Sequence, residues 1–264
     1  MLQAARELTA SFKEGQVEAD GFGIRYMEAG QGNPVVILDS VTWGLFNLHN
    51  ALAQRYRVVA LEVPGFGSSP ANTKSQSAKE LANTMAHAAA SLVPGEYTLI
   101  GTSFGANVAL WQALLATDKV EALILISPTA ILPNGETLTG APEQLLAHPE
   151  NGQALPAVDR AIFDQELALV HRLKGAVHDS QAESGLGEVQ CSTLVVFGLE
   201  DRLVAPQAAS LYREKIPVCN VSIVYDAGHA IIAERPEALI NAVSDYVEHR
   251  ETFIVGRQNQ VINP

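Results

Sequence analysis

Basic residues are scarce in this chain: 17 Lys and Arg stand against 29 Asp and Glu, a formal charge of −12. No basic run occurs, and the acidic excess repels phosphate backbones and anionic headgroups, so nucleic acid and membrane are excluded as expected partners. Long hydrophobic runs are also missing, since nowhere do about 18 uninterrupted apolar residues occur, as a bilayer span requires. The opening stretch "MLQAARELTASFKEG" has neither an apolar core nor a small-residue cleavage site, and a cytoplasmic protein is expected. Cysteine is nearly absent. Cys191 and Cys219 are too few for a disulfide framework and lack metal-ligand spacing, so buried free thiols are expected. No glycine pattern of the dinucleotide type follows a strand and no metal-binding cluster stands out, so neither cofactor nor metal is expected. Internal repeats and low-complexity segments are lacking too.

What is present is a globular composition. Hydrophobic residues make up 47% of 264 residues, enough for one large α/β domain. Short apolar runs predict eight strands, at 16–20, 24–29, 35–39, 57–61, 97–100, 121–127, 192–198 and 220–225. Several are β-branched and apolar on both faces, as strands covered by helices must be. The first two alternate more and suit an antiparallel edge. Helical patterns at 76–91, 104–116, 206–215 and 236–249 alternate with the strands, which predicts a doubly wound, mostly parallel sheet.

The alternation stops between Ser127 and Ser192. A loop of that length is implausible in a compact domain, and residues 159–177 repeat apolar side chains at helical spacing. The chain is therefore expected to divide into a core of 1–127 and 191–264 and a small helical insertion of 128–190. The tail beyond Arg250 reads equally as docked or frayed.

The stretch "TLIGTSFGANVALW" sets a lone serine between two glycines where a strand becomes a helix. G-x-S-x-G in that context is a nucleophile elbow: the turn is so sharp that side chains at the glycine positions would collide. It raises Ser103 at a helix N-terminus, where backbone N–H groups favour negative charge. A serine hydroxyl needs a base, and the base needs an orienting carboxylate. His229, in the loop "YDAGHAIIAERPE" after the last strand, is the expected base. His249 reads as part of a solvated helix end. Asp201, in "VVFGLEDRLVAP" beside Glu200, is the expected acid, with Asp226 as a rival because it lies close to His229 in sequence.

"GTSFG", "GLEDRLVAP", "AGHAIIAERPE" and "VPGFGSS" (63–69) together resemble, in order and spacing, the α/β-hydrolase superfamily in its small capped-esterase branch. The resemblance spans residues 16 to 250 and implies the α/β-hydrolase fold with a helical cap. It also implies an oxyanion hole built from the backbone N–H groups of Val41 and Phe104. The chain departs from the family in one place: it reads "VVILDSVTWG", with Asp39 and Ser40 where relatives carry His-Gly. Two donors then compete, the Val41 backbone and the Ser40 hydroxyl. Ser40, Trp43, Phe163 and Leu167 are expected to line the substrate site, although core packing explains Trp43 and Phe46 equally well. "VPGFGSS" reads as a structural turn.

The expected function is hydrolysis of an ester or related acyl bond in a small, partly apolar molecule through an acyl-enzyme. The same residues could serve a C–C hydrolase, a thioesterase or a lyase. Loss of His-Gly favours a different class, a ligand-binding homologue without turnover. Whether the chain forms a homo-oligomer is left open.

Overall fold

A computed structural model describes residues 10–39, 47–135, 137, 146–148 and 159–256. In chain order the strands are β1 (Lys13–Ala19), β2 (Phe22–Ala29), β3 (Pro34–Asp39), β4 (Arg57–Glu62), β5 (Tyr97–Thr102), β6 (Val120–Ile126), β7 (Ser192–Gly198) and β8 (Cys219–Val224). All eight expected strands are present, with ends shifted by up to three residues. They form one sheet in the order β1-β2-β4-β3-β5-β6-β7-β8. β1 pairs antiparallel with β2, and β2 antiparallel with β4. Every pairing from β4 to β8 is parallel. The antiparallel edge and the parallel body agree with the alternation in the first two strands and the apolar runs in the rest.

The helices are α1 (Asn47–Ala53), α2 (Ala78–Leu92), α3 (Phe104–Leu115), α4 (Arg160–Arg172), α5 (Ser180–Gly185), α6 (Ala208–Lys215), α7 (Ile231–Glu234) and α8 (Pro236–Gly256). α2 opens on Ser77, whose hydroxyl accepts the Glu80 N–H, while Glu80 reaches back to the Gln76 N–H. α8 starts on Pro236, whose missing N–H costs nothing there, and its helical backbone breaks at His249. The short helices α1, α5 and α7 escape the sequence reading because four to seven residues carry too little periodicity.

Alternate residues of each central strand feed two separate cores. Val36 and Leu38 of β3, Val59 and Leu61 of β4, and Val195 and Phe197 of β7 pack with α2, α3 and α6. Their neighbours Val35, Ile37, Val58, Ala60, Leu194 and Val196 pack with α1, α7 and α8. The sheet is thus covered on both faces, as a doubly wound fold requires.

Between β6 and β7 the described chain holds α4 and α5, and no strand beyond an isolated bridge between Thr137 and Val177. α4 is fastened to the connection after β4. Its Gln165 amide donates to the Gly65 and Ser69 carbonyls, and Arg172 donates to the Asn72 and Ser75 carbonyls. The buried Glu166 carboxylate accepts the Gly67 N–H at 2.8 Å. No helix among the described residues is long and apolar enough to cross a membrane.

Both cysteines are unpaired and half-buried rather than fully buried. Burial pushes the Cys191 thiol up to about 11 and the Cys219 thiol up to about 12. Both stay protonated at neutral pH, and the thiolate is the reactive form. A disulfide reagent at mildly alkaline pH should therefore label the native protein slowly and reach two thiols only after denaturation; rapid native labelling would contradict this burial.

Candidate active site

The site begins with the turn at Ser103. This residue leaves β5 and enters α3 at φ 55° and ψ −120°, a region that a side-chain-bearing residue rarely adopts. The flanking glycines are required sterically. A Cβ at Gly101 would lie 2.4 Å from the Gly105 carbonyl oxygen, and one at Gly105 would lie 2.5 Å from the Leu38 carbonyl oxygen. The Ser103 N–H donates to the Ile126 carbonyl at 2.8 Å, which holds the turn to β6.

β7 delivers the acid. Gly198 ends the strand, and a Cβ there would lie 2.1 Å from the Gly228 carbonyl oxygen, so the histidine loop passes directly over it. Asp201 then turns inward with its side chain fully buried. Its Oδ1 accepts the N–H groups of Leu203 and Val204 at 2.8 and 2.9 Å. Its Oδ2 lies 2.9 Å from Nδ1 of His229. An ionised carboxylate can only accept, so Nδ1 carries the proton and Nε2 keeps its lone pair. Nε2 lies 2.8 Å from Ser103 Oγ. Ser103, His229 and Asp201 therefore form one hydrogen-bonded chain in the orientation that draws the serine proton toward the imidazole.

The rival acids are occupied elsewhere. Asp226 is exposed and pairs with Arg235 at 3.1 Å. Glu200 accepts the Ala227 N–H at 3.1 Å and so braces the histidine loop. His249 is exposed beside Asp245.

Phe104 is buried at the first position of α3, where a backbone N–H has no carbonyl one turn back to meet it. Its ring lies 5.8 Å from that of Phe66 and against Gly175, where a Cβ would come within 2.3 Å of it. Val41, Ser40, Trp43 and Phe46 lie outside the described residues. Phe163 and Leu167 are half-buried on α4, with the Arg160 guanidinium 5.8 Å from the Phe163 ring. On the same helix it is Leu169 and Val170, with Leu173 just beyond, that join the cluster containing Phe104 and Phe66. "VPGFGSS" is a turn in which Gly65 and Gly67 have positive φ, and it also seats α4.

Two positioning residues escape a search for nucleophile, base and acid. Ser127, buried and at φ 47°, donates its hydroxyl to the His229 carbonyl at 2.9 Å. Glu234, buried in α7, accepts the Gly228 N–H at 3.0 Å and the His148 N–H at 2.8 Å. The available signal for Glu234 was an acid directly following the apolar "IIA". Among the described residues no group of His, Cys, Asp and Glu could hold a metal ion.

With this geometry in place, the matches to known proteins become interpretable. The model of the alpha/beta hydrolase family matches residues 30–242. The chain belongs to that family. It is 23% identical over 279 residues to the 2-hydroxy-6-oxo-6-(2'-aminophenyl)hexa-2,4-dienoic acid hydrolase of Metapseudomonas resinovorans, covering 94% of this chain and 95% of that protein. It is 26% identical over 251 residues to the pimeloyl-[acyl-carrier protein] methyl ester esterase of Aeromonas hydrophila subsp. hydrophila, covering 83% of this chain and 96% of that one. Among solved structures, a thermophilic esterase from Thermogutta terrifontis with malate bound superposes with a TM-score of 0.75 at 20% identity, covering 89% of this chain and 98% of that chain. That likeness shows the alpha/beta hydrolase fold.

The family's sharp turn makes a direct demand here. Gly101→Ala forces its Cβ against backbone rather than a movable side chain, so it should lower the unfolding free energy by about 1–3 kcal/mol. Urea denaturation measures this, and an unchanged midpoint would show that the turn has slack.

Proposed function

We propose that this hydrolase-family chain cleaves a carboxylic ester of a small, partly apolar molecule with Ser103 as nucleophile. The observation that carries the reading is the continuous chain from Ser103 Oγ through His229 to the buried Asp201 carboxylate, at 2.8 and 2.9 Å. Two of the relatives reported above are named as esterases.

In the proposed reaction Ser103 Oγ attacks the ester carbonyl while His229 Nε2 takes its proton. The carbonyl oxygen becomes an oxyanion, and the Phe104 N–H is one donor to it. The Val41 N–H is the second, with the Ser40 hydroxyl as the competing donor. The tetrahedral adduct collapses, the C–O bond breaks, and the imidazolium returns the proton to the departing alcohol. Water then attacks the acyl-enzyme with His229 as base, which releases the acid and regenerates Ser103. Asp201 holds the imidazole in one tautomer and stabilises its charged form. The segment 128–190 acts as a cap that selects substrates without supplying chemistry; Phe163 and Leu167, together with Trp43, read the size of the acyl group. No cofactor takes part in any step of this scheme.

The test is turnover of p-nitrophenyl esters together with labelling by a fluorophosphonate. Ser103→Ala should abolish labelling and lower ester turnover by roughly 10⁴-fold or more, with the thermal midpoint little changed. Near-normal turnover in the purified variant would overturn the assignment. A homologue that only binds ligand would leave the wild type unlabelled as well.

The acid is tested by a contest between two variants. In Asp201→Asn the amide oxygen can keep the Leu203 and Val204 N–H groups, so the loop survives. The amide nitrogen then donates to Nδ1, which moves the imidazole proton to Nε2 and removes the acceptor that Ser103 needs. A loss of about 10⁴ in kcat is expected, as for the same change in other triads. Asp226→Asn should stay within about twofold of wild type, as for an exposed substitution away from special contacts. A reversed order would move the acid role to Asp226.

A further inference from the structure

We propose that the site selects a neutral acyl group and rejects one that carries a carboxylate; this rests on the ester reading above. Ser103, Asp201 and His229 follow the C-terminal ends of β5, β7 and β8, and the segments that follow β3 to β8 in the sequence carry few basic residues. No Lys or Arg occurs in the forty residues 120–159, nor in residues 40–46 after β3. Between Ser127 and Ser192 nine Asp and Glu stand against Arg160, Arg172 and Lys174.

Most of the cations in the described parts of these segments already have partners. Lys74 donates to the Gly21 carbonyl at 2.7 Å and lies over the Phe22 ring, at the β1-β2 edge. Arg160 is exposed and pairs with Asp164 at 2.9 Å, with its guanidinium 5.8 Å from the Phe163 ring at the start of α4. Arg172 is spent on the Asn72 and Ser75 carbonyls, and Arg235 on the Tyr225 carbonyl and Asp226. His178 sits between the Leu132 backbone and Glu183. Lys174 and Arg202 are exposed to solvent.

Among the described residues carboxyl side chains are buried at this end of the sheet, and no Lys or Arg is. Asp201, Glu166 and Glu234 are each held by backbone N–H groups. Phe66 stands against the Phe104 ring, and Leu169 and Val170 belong to the same apolar cluster. A carboxylate brought into such surroundings loses its water, finds no buried Lys or Arg among the described residues, and meets carboxylates. Burying an ionised group without a partner is among the costliest steps available to a folded chain. A neutral chain or ring of the same length loses nothing of the kind. The formal charge of −12 adds a long-range repulsion of anions, which salt removes, whereas the local cost survives salt.

Three p-nitrophenyl esters of equal acyl length separate these effects: the valerate, the glutarate with a free carboxylate, and the glutarate capped as its methyl ester. The wild-type enzyme should hydrolyse the valerate and the capped glutarate, with kcat/KM for the free acid at least about 10²-fold lower. Most of that gap should remain at roughly 1 M salt. Turnover of the free acid within about threefold of the capped ester would overturn the inference and leave the ester reading standing. An Arg202→Gln variant that then lost only the free-acid activity would identify the cation responsible. A gap that closed at high salt would also overturn it, because the discrimination would then lie in the protein's net charge and not in the site. Failure of all three esters, with no fluorophosphonate labelling of Ser103, would remove the ester reading and this inference with it.

Discussion

The site depends on a backbone held where a side-chain-bearing residue resists going. Ser103 at φ 55° costs of order 1–3 kcal/mol unless its surroundings enforce it. They enforce it from both sides. The Ser103 N–H is taken by the Ile126 carbonyl, so β6 holds the turn in place. Gly101 and Gly105 let the first turn of α3 lie against β5 and β3 at distances that no Cβ permits. Release of this turn would move Oγ out of reach of His229 and would also swing the Phe104 N–H. The strain thus positions the proposed nucleophile and one proposed oxyanion donor together.

The imidazole is held by a second set of constraints built from different elements. The Ser127 hydroxyl grips the His229 carbonyl, Glu234 grips the preceding Gly228 N–H, and the Glu200 carboxylate takes the Ala227 N–H. Three consecutive residues of the loop are therefore bonded to side chains from the turn after β7, from α7 and from the residue after β6. Each net bond of this kind contributes only about 1 kcal/mol, but leaving a buried carboxylate without its N–H partners costs more. Ser127 repeats the logic of Ser103: a non-glycine residue at positive φ directly after a strand, with its N–H taken by the Val196 carbonyl on the next strand.

How much of this was legible in the sequence follows from how local each signal is. The elbow was readable because its glycines sit within two residues of the serine they serve. The strands were readable because β3, β4, β6 and β7 are apolar on both faces, and their pairing followed from alternation with helices. Asp201 was separable from Asp226 only by argument about reach. The structure sets Asp201 beside His229 and pairs Asp226 with Arg235, a hold that no spacing announces. Ser127 and Glu234 were hidden because their partners are backbone atoms 102 and 6 residues away, and backbone partners leave no mark on residue type. The apolar stripe of α4 was read correctly as a helix. Its deepest residues are Leu169 and Leu173, though, because its polar side chains Gln165, Glu166 and Arg172 dock it on the β4 connection and thereby choose the face turned inward.

That docking is one of several polar links between the excursion that joins β6 to β7 and the elements carrying Ser103 and His229. Asn107, one helical turn beyond Ser103, exchanges hydrogen bonds with Thr129, and both donate to the Gly175 carbonyl. Gly175 in turn lies against the Phe104 ring, so the C-terminal end of α4 is tied to the first turn of α3. At the other side of the site Glu234 bonds the histidine loop and the His148 N–H with one carboxylate, and the Ala230 N–H donates to the Leu146 carbonyl. Residues of the excursion are thus bonded next to Ser103 and next to His229, on opposite sides of the bond between those two. Polar links of this kind are directional and shared, so they fix the excursion beside Ser103 and His229 more narrowly than apolar contact alone does.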